Sequence, residues 1–147
     1  MEAYAQNKKA YFEYEIERKM EAGIKLFGFE VKAVRAGLVQ LSGAFVTIKG
    51  GEIFLTNAHI SPYQPLNTPS SYNPERPRKL LLHKKELSSL IGIFQQKNLT
   101  ILPISMYNKG DKIKIEIAVA RKKKKYEKRE TIKRKTTERE IEREMKK

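Results

Sequence analysis

A mainly β protein with few helices and a basic C-terminal tail is the fold class that this sequence predicts. Apolar residues alternate with polar ones in several segments, which is typical of strands that bury one face. Gly50-Gly51 separates two such segments, and glycines permit the positive φ angles of tight hairpin turns. Positive charge is concentrated after Val119. We therefore expect residues 1–119 to form the folded domain and residues 120–147 to form a tail.

The N-terminal third of the chain contributes the first strand and a short helix. Ala10, Phe12, Tyr14 and Ile16 alternate with mostly acidic residues, so a half-buried strand is expected over residues 10–17. Residues 30–35 precede a glycine and suit a short helix or a bent strand, of which the helix is favoured. The diglycine then joins two strands, around residues 44–48 and 53–55, into a hairpin.

The middle of the chain is expected to form a long surface loop and a helix. Five of the six prolines lie between residues 61 and 78, and prolines cannot donate to a strand ladder. The basic end of this loop, Arg76-Pro-Arg-Lys79, is a candidate contact surface. Apolar residues at 87, 90, 91 and 94 then predict a helix between residues 84 and 97. Asn98 is expected to end it in the left-handed conformation.

A second hairpin completes the predicted domain. Its strands cover residues 99–107 and 113–119, and Asn108-Lys-Gly-Asp111 forms the turn. Strands, one packed helix and further strands together predict a small, closed or partly open antiparallel β-barrel of the oligonucleotide-binding type.

The charge of the chain indicates a polyanionic partner. Lys and Arg number 31 against 17 Asp and Glu, a net charge of +14. The sequence has no cysteine, so a reducing compartment is suitable and a cytoplasmic location is expected. The two histidines lack metal-binding spacing, and no convergent set of catalytic residues is evident. We expect no enzyme activity, no cofactor, no metal and no membrane segment.

The tail has too little apolar surface to fold alone. Its larger apolar side chains are Tyr126, Ile132, Ile141 and Met145, so disorder in isolation is expected. Thr137-Glu-Arg-Glu140 has the capping-box spacing, and several pairs four residues apart have opposite charge, which predicts a helix on a partner surface. A solvated, solubilising end is the alternative interpretation.

Six segments in order resemble the SsrA-binding proteins, also called small protein B. They are Asn7-Lys-Lys-Ala10, Glu21-Ala-Gly-Ile24, residues 28–37, His59-Ile-Ser-Pro-Tyr63, Arg78-Lys-Leu-Leu-Leu-His-Lys84 and Tyr126-Glu-Lys-Arg129. The resemblance implies a monomeric carrier that binds the tRNA-like part of transfer-messenger RNA. It also implies delivery with elongation factor Tu and a tail that enters the small-subunit decoding region and the empty mRNA channel of a stalled ribosome. A ribosomal protein or assembly factor, and less favourably a nuclease-like enzyme, remain alternatives.

The candidate site residues fall into three groups. Expected phosphate contacts are Lys8, Lys9, Lys32, Arg35, Arg76, Arg78, Lys79 and Lys84, and expected base contacts are Asn57, His59, Tyr63 and His83. Asn7 is a further expected RNA contact, and Glu30 is expected to orient Lys32 and Arg35. The expected ribosome contacts of the tail are Lys123, Lys124, Tyr126, Glu127, Lys128, Arg129, Ile141 and Met145.

Four positions depart from the usual pattern of the family. Phe12 stands where histidine is common, Phe29 where threonine is common, and Asn98 where glycine is common. Lys122 replaces a glycine before the paired lysines 123 and 124, which puts the entry of the tail in question.

Overall fold

The computed structural model of the chain describes residues 3–124 and Arg129. Its strands are β1 (Ala3–Gln6), β2 (Tyr14–Ile24), β3 (Val39–Gln40), β4 (Phe45–Lys49), β5 (Glu52–Thr56), β6 (His59–Ile60), β7 (Arg78–Leu81), β8 (Thr100–Lys109) and β9 (Lys112–Lys122). Its helices are α1 (Lys8–Glu13), α2 (Gly28–Arg35) and α3 (Lys84–Phe94), with a 3-10 turn at Pro65–Asn67. The prediction of a mainly β protein with few helices is confirmed.

The strands form one large curved sheet and one small one. The large sheet has seven strands in the order β1-β8-β9-β2-β7-β5-β4, and β3 pairs with β6 separately. All the recorded pairings are antiparallel. The sheet curls until β4 lies beside β8. No ladder joins the edge strands β1 and β4 within residues 3–124, so the sheet is open and the closed form of the predicted barrel is not observed.

The core lies inside the curve of the sheet. Leu55, Ile115 and Ile117 of the strands and Leu90 of α3 are completely buried there. Each such side chain contributes roughly 1.5–3 kcal/mol through removal from water. A smaller cluster on the other face of β8 and β9 packs beneath α1.

The strand predicted over residues 10–17 is wrong in its first half, because residues 8–13 form α1. Asn7 attaches the chain to β8: its backbone N–H donates to the Ile104 carbonyl at 2.7 Å, and its side-chain amide donates to the Pro103 carbonyl at 3.0 Å. The chain then turns, and Ala10 packs into the smaller cluster. Four alternating apolar residues are too few to distinguish a strand from a short helix that buries one side chain.

The two longer helices are confirmed, with one change at an end. Gly37, with a φ of +81°, follows α2 as expected. Helix α3 ends at Phe94, and its C-cap residue Gln95 has a right-handed φ of −76°. Asn57 is the one non-glycine residue of the described chain with positive φ, so the predicted left-handed stop at Asn98 is wrong. Phe94 is the last residue of the helix and stays 42% exposed, whereas Leu87, Leu90 and Ile93 face the core.

Both predicted hairpins are confirmed. Gly50 and Gly51 have φ angles of 61° and 75°, and Lys49 pairs with Glu52 across the turn. Gly110 has a φ of 65° between β8 and β9. The segment from residue 61 to residue 77 is irregular apart from the 3-10 turn, as expected. Its expected basic end differs, because Arg78 and Lys79 belong to β7.

Strand β9 continues past residue 119, where the folded domain is expected to end. Ala120 has no exposed surface and pairs with both Ile16 and Thr100. The Lys123 N–H donates to the Glu13 carbonyl at 2.8 Å. Lys122 pairs with Tyr14 in ordinary extended conformation, so lysine is compatible with the strand at this position.

Two truncations should therefore differ in stability. We expect removal of residues 125–147 to change the free energy of unfolding by less than about 0.5 kcal/mol. Removal of residues 120–147 should cost roughly 2 kcal/mol more, because it deletes buried apolar surface and ladder hydrogen bonds. Urea unfolding of both proteins measures the difference. Equal stabilities would contradict the assignment of residues 120–123 to the folded body.

Candidate RNA interface

A buried ionic network joins α2 to the proline-rich loop and β7. Glu30 has no exposed surface, and its Oε2 accepts hydrogen bonds from Arg78 Nε at 2.9 Å, from Arg78 Nη2 at 2.6 Å and from the Tyr72 hydroxyl at 2.9 Å. Its Oε1 accepts from Arg76 Nη2 and from the Phe27 N–H. The expectation that Glu30 orients Lys32 and Arg35 is wrong, because both carboxylate oxygens bind partners outside α2 or at its N-terminus.

Arg78 is an interior residue in this network. Its guanidinium has no exposed surface and also donates to the carbonyls of Ala58 at 2.6 Å and Pro74 at 2.9 Å. This corrects the expected phosphate contact of Arg78, since the charge is already neutralised by Glu30 and shielded from solvent. The residue instead holds the loop against β7.

Hydrogen bonds decide the ionisation of the network. Burial alone would raise the pKa of Glu30, but donation by Arg76, by the Phe27 N–H and by Arg78 lowers the pKa below its ordinary value of 4.5. Burial, together with the Glu30 carboxylate, raises the pKa of Tyr72 to about 12. The network therefore holds an ionised carboxylate and a neutral phenol at neutral pH.

Exposed cations surround a cleft beside α2. Arg35 projects from the last turn of α2, and its Nη2 donates to the Asp111 carbonyl at 3.0 Å, which connects α2 to the β8–β9 turn. The cleft has a volume of about 290 Å³; Arg35, Lys112 and Lys114 contribute positive charge to its lining, and Asp111 contributes negative charge. We call it the α2 cleft. Lys32 is exposed on the same helix.

A polar cluster near this cleft was not indicated by the sequence patterns. The hydroxyl of Tyr107 donates to Glu21 Oε2, and Lys109 Nζ lies 3.1 Å from Glu21 Oε1. The hydrogen bond from Tyr107, and to a smaller extent the one from Lys109, lowers the pKa of Glu21. Gly23, two positions after Glu21 in β2, pairs with Lys114 of β9, and both residues line the α2 cleft. The partners lie 86 and 88 positions from Glu21, so no local motif reveals them.

The N-terminal candidates lie on a different surface. Asn7 is only 6% exposed, and its side chain is bonded to β8, so the structure gives it a structural role that conflicts with the expected RNA contact. Lys8 and Lys9 are exposed on α1. Lys9 lines a separate cleft of about 370 Å³ with Phe45 and Thr100. This cleft and the α2 cleft share no lining residue.

The remaining candidates of the body are exposed or partly exposed but are not gathered in one place. Asn57 follows β5 in left-handed conformation, and Tyr63 is 44% exposed in the loop. His59 Nδ1 lies 3.5 Å from Glu75 Oε1, and Lys79 Nζ lies 3.0 Å from Glu52 Oε1. His83 precedes α3 and Lys84 begins it, both exposed.

Three of the tail candidates fall in the part of the chain that the structure describes. Lys123 Nζ donates to the Tyr11 carbonyl at 3.1 Å, and Lys124 and Arg129 are exposed. The other candidates, Tyr126, Glu127, Lys128, Ile141 and Met145, lie outside the described residues.

Neither a membrane-spanning helix nor a metal-binding cluster occurs among the described residues. No helix there has both the length and the apolar character needed to cross a membrane. Across residues 3–124 and Arg129, His, Asp and Glu side chains do not form a group of three or more able to hold a metal ion.

Comparison with known proteins assigns the family. The family model described as SmpB protein matches residues 4–147. An SsrA-binding protein of Chloroflexus aggregans is 47% identical over 142 residues, which are 97% of this chain and 90% of that protein. An SsrA-binding protein of Shouchella clausii is 51% identical over the same shares of the two chains.

A solved structure agrees with the sequence relatives. It is described as "tmRNA-SmpB: a journey to the center of the bacterial ribosome", and its matching chain is 43% identical, with a TM-score of 0.67. The match covers 82% of this chain and 84% of that one. The chain belongs to the SmpB protein family, whose members include the SsrA-binding proteins.

Proposed function

We propose that this protein binds the tRNA-like domain of transfer-messenger RNA and carries that RNA to stalled ribosomes in trans-translation. The observation that carries the proposal is the exposed basic surface of α2 and its cleft, on a chain of the SmpB family. Its relatives are SsrA-binding proteins, and its structural neighbour is a tmRNA–SmpB complex on the bacterial ribosome. Family membership also favours this function over a ribosomal protein or assembly factor.

The fold supports an RNA-binding role. We infer that the seven-stranded antiparallel sheet is an open variant of the oligonucleotide-binding barrel, because it curls around a single core and brings β4 beside β8. In such barrels one face of the sheet and loops between strands bind oligonucleotides. Here the β8–β9 turn is a loop between strands, and Arg35 joins α2 to it.

A carrier is proposed and not a catalyst. Glu30, the acidic residue of α2, is fully buried and held by two arginines, so it is not available to remove a proton from a substrate. The exposed lysines and arginines neutralise phosphates without any bond being broken.

The remaining parts of the proposal concern the partners and the tail. We propose that the protein acts as a monomer in the cytoplasm and reaches the ribosome together with elongation factor Tu. Residues from 125 onward would enter the empty mRNA channel, with the basic residues facing ribosomal RNA. The capping-box spacing and opposite-charge pairs of the tail favour a helix there.

Changing Lys32 and Arg35 together to alanine should weaken binding to the tRNA-like RNA by about tenfold or more. Two phosphate-neutralising charges disappear, so the slope of log affinity against log salt concentration should fall by roughly 1.5–2. Fluorescence anisotropy at several salt concentrations measures both quantities.

A matched control removes two exposed cations elsewhere, Lys49 and Lys97. This control should retain nearly all of the affinity, because neither residue lies on the proposed surface. Thermal unfolding checks that loss of the Arg35–Asp111 hydrogen bond leaves the domain folded. An unchanged salt slope in the Lys32/Arg35 variant would remove α2 from the RNA interface.

A further inference from the structure

A second, aromatic cleft lies on the loop side of α2. It has a volume of about 500 Å³ and is lined mainly by Phe27, Phe29, Pro69, Tyr72 and Arg76. The ring centroids of Phe27 and Phe29 are 5.4 Å apart, and those of Phe29 and Tyr72 are 4.9 Å apart at a near-perpendicular angle. Phe27 is nevertheless 49% exposed. The rings therefore form an open cleft and not a closed core, and we call it the aromatic cleft.

Two of these side chains are held in place by the buried network. The Tyr72 hydroxyl lies 2.9 Å from Glu30 Oε2 and 3.0 Å from the Ile60 carbonyl oxygen, and its one proton can be donated to either, so rotation of the ring away from Phe29 would lose both contacts. Arg76 is bound to Glu30, and its guanidinium carbon lies 3.8 Å from the centroid of the Phe27 ring. The cleft thus has a preformed shape, which lowers the entropic cost of binding a flat ligand.

A basic cleft adjoins the aromatic one. Phe27 and Arg76 also line a cleft of about 560 Å³ that includes Lys25 and Lys79. This basic cleft shares Ile24 and Leu26 with the α2 cleft. The three clefts therefore form a continuous surface that runs from Arg35 through Lys25 and Lys79 to the aromatic rings.

The charge along this surface identifies the kind of occupant. Lys79 is paired with an exposed glutamate, Glu52, which a phosphate can replace, and Lys25 is exposed. Aromatic rings stack on any nucleobase because every base has a π-face, and neighbouring cations hold the backbone. An apolar peptide would cover the aromatic rings but would provide no anionic group for the adjoining cations. A nucleotide uses both features.

We propose that the aromatic cleft receives one unpaired nucleobase of the tRNA-like RNA that covers the α2 cleft, while the adjoining phosphates cross Lys25 and Lys79. The proposal rests on the proposed function and deepens it by adding a stacking contact to the charge contacts of α2. Phe27 provides the exposed ring face, Phe29 and Tyr72 form the wall, and Arg76 stands at the boundary between base and phosphate.

The test removes the aromatic ring of Phe27 and keeps an apolar side chain at that position. Phe27→Leu should weaken binding of the transcribed tRNA-like domain by about 5- to 150-fold, which is the range that loss of one stacked base produces. The salt slope should not change, because no charge is removed. Phe27→Tyr keeps the ring and should bind within about twofold of the original protein. Anisotropy titrations at several salt concentrations give affinity and slope together.

Controls separate stacking from folding and from the broader function. Phe94→Leu alters another exposed phenylalanine, at the end of α3, and should leave affinity unchanged. The backbone N–H of Phe27 still donates to Glu30 in Phe27→Leu, and thermal unfolding confirms that the variant is folded. If the original protein does not bind the tRNA-like RNA at all, the proposed function fails.

Two outcomes would overturn the aromatic-cleft proposal while leaving the proposed function in place. In the first, Phe27→Leu binds both the tRNA-like RNA and the small ribosomal subunit as tightly as the original protein. In the second, Phe27→Leu keeps its affinity for the tRNA-like RNA but loses binding to the small ribosomal subunit. That result would show that the cleft binds ribosomal RNA.

Discussion

Replacement of Glu30 by glutamine is expected to lower the free energy of unfolding by about 3–5 kcal/mol, the usual cost of breaking a buried ion pair from one side. Glutamine has nearly the same shape, but it leaves the fully buried guanidinium of Arg78 without a counter-charge. It also removes the anion that holds Arg76. Such a loss is a large fraction of the stability of a domain of this size. Urea unfolding at neutral pH measures it.

The acid dependence of stability gives a second measure of the same carboxylate. The pKa of Glu30 is lowered in the folded protein, so its ionised form stabilises the fold at pH values above the ordinary value of 4.5. That contribution declines as the pH falls below 4.5 and is lost once the pH passes below the folded-state pKa. The Glu30→Gln variant should lack this part of the acid sensitivity.

Glu52→Gln is the matched control. Glu52 also pairs with a basic residue of β7, Lys79, but its side chain is 51% exposed. Solvent screens such a pair, so its loss should cost less than about 1 kcal/mol. If Glu30→Gln costs no more than Glu52→Gln, the carboxylate of Glu30 does not stabilise the junction of α2, the loop and β7.

The parts of the fold predicted correctly from sequence are those that local rules determine. Gly50-Gly51 is sufficient to place a tight hairpin, because few other residues adopt two successive positive φ angles. The β8–β9 hairpin follows from long period-two alternation. Helix α2 is short, but Gly37 follows it closely, and glycine commonly ends a helix.

The errors arise where distant contacts decide the structure. Helix α1 forms because Asn7 is anchored to β8, about a hundred positions away in the chain, and no pattern within residues 8–13 contains that information. The helix after the proline-rich loop ends before Asn98, and the tendency of asparagine towards left-handed conformation is too weak to extend it. Local propensity yields to tertiary packing at both positions.

The geometry of the candidate site depends on contacts between residues that are distant in sequence. Arginine is almost never fully buried without a partner, so sequence reasoning places Arg78 at the surface. Its partner Glu30 lies 48 positions away, and only the fold reveals the pair. The aromatic cleft is similar: Phe27 and Phe29 are close in sequence, but Tyr72 comes from the distant loop. In contrast, prediction of helix α2 alone was enough to place its cations, Lys32 and Arg35, at the surface.

Changing Ile141 and Met145 together to aspartate is expected to abolish ribosome rescue while leaving affinity for the tRNA-like RNA within about twofold, roughly 0.4 kcal/mol. The two residues are four positions apart and would form the apolar patch of the proposed tail helix. Aspartate there prevents contact with an apolar surface and adds negative charge near ribosomal RNA. The body, which carries the proposed RNA surface, is not altered. An in vitro translation assay on a message without a stop codon measures rescue, and anisotropy measures RNA affinity.

The matched control separates the apolar contact from the charge. Changing Lys146 and Lys147 to glutamine lowers the net charge by two, as the double aspartate variant does, but leaves Ile141 and Met145 in place. We expect this control to retain most of the rescue activity, because a tail with many remaining cations still attracts RNA. Normal rescue by the double aspartate variant would show that the tail is only a solvated end. Loss of RNA affinity in that variant would instead place the tail in the carrier site, against the division between a binding body and a ribosome-probing tail.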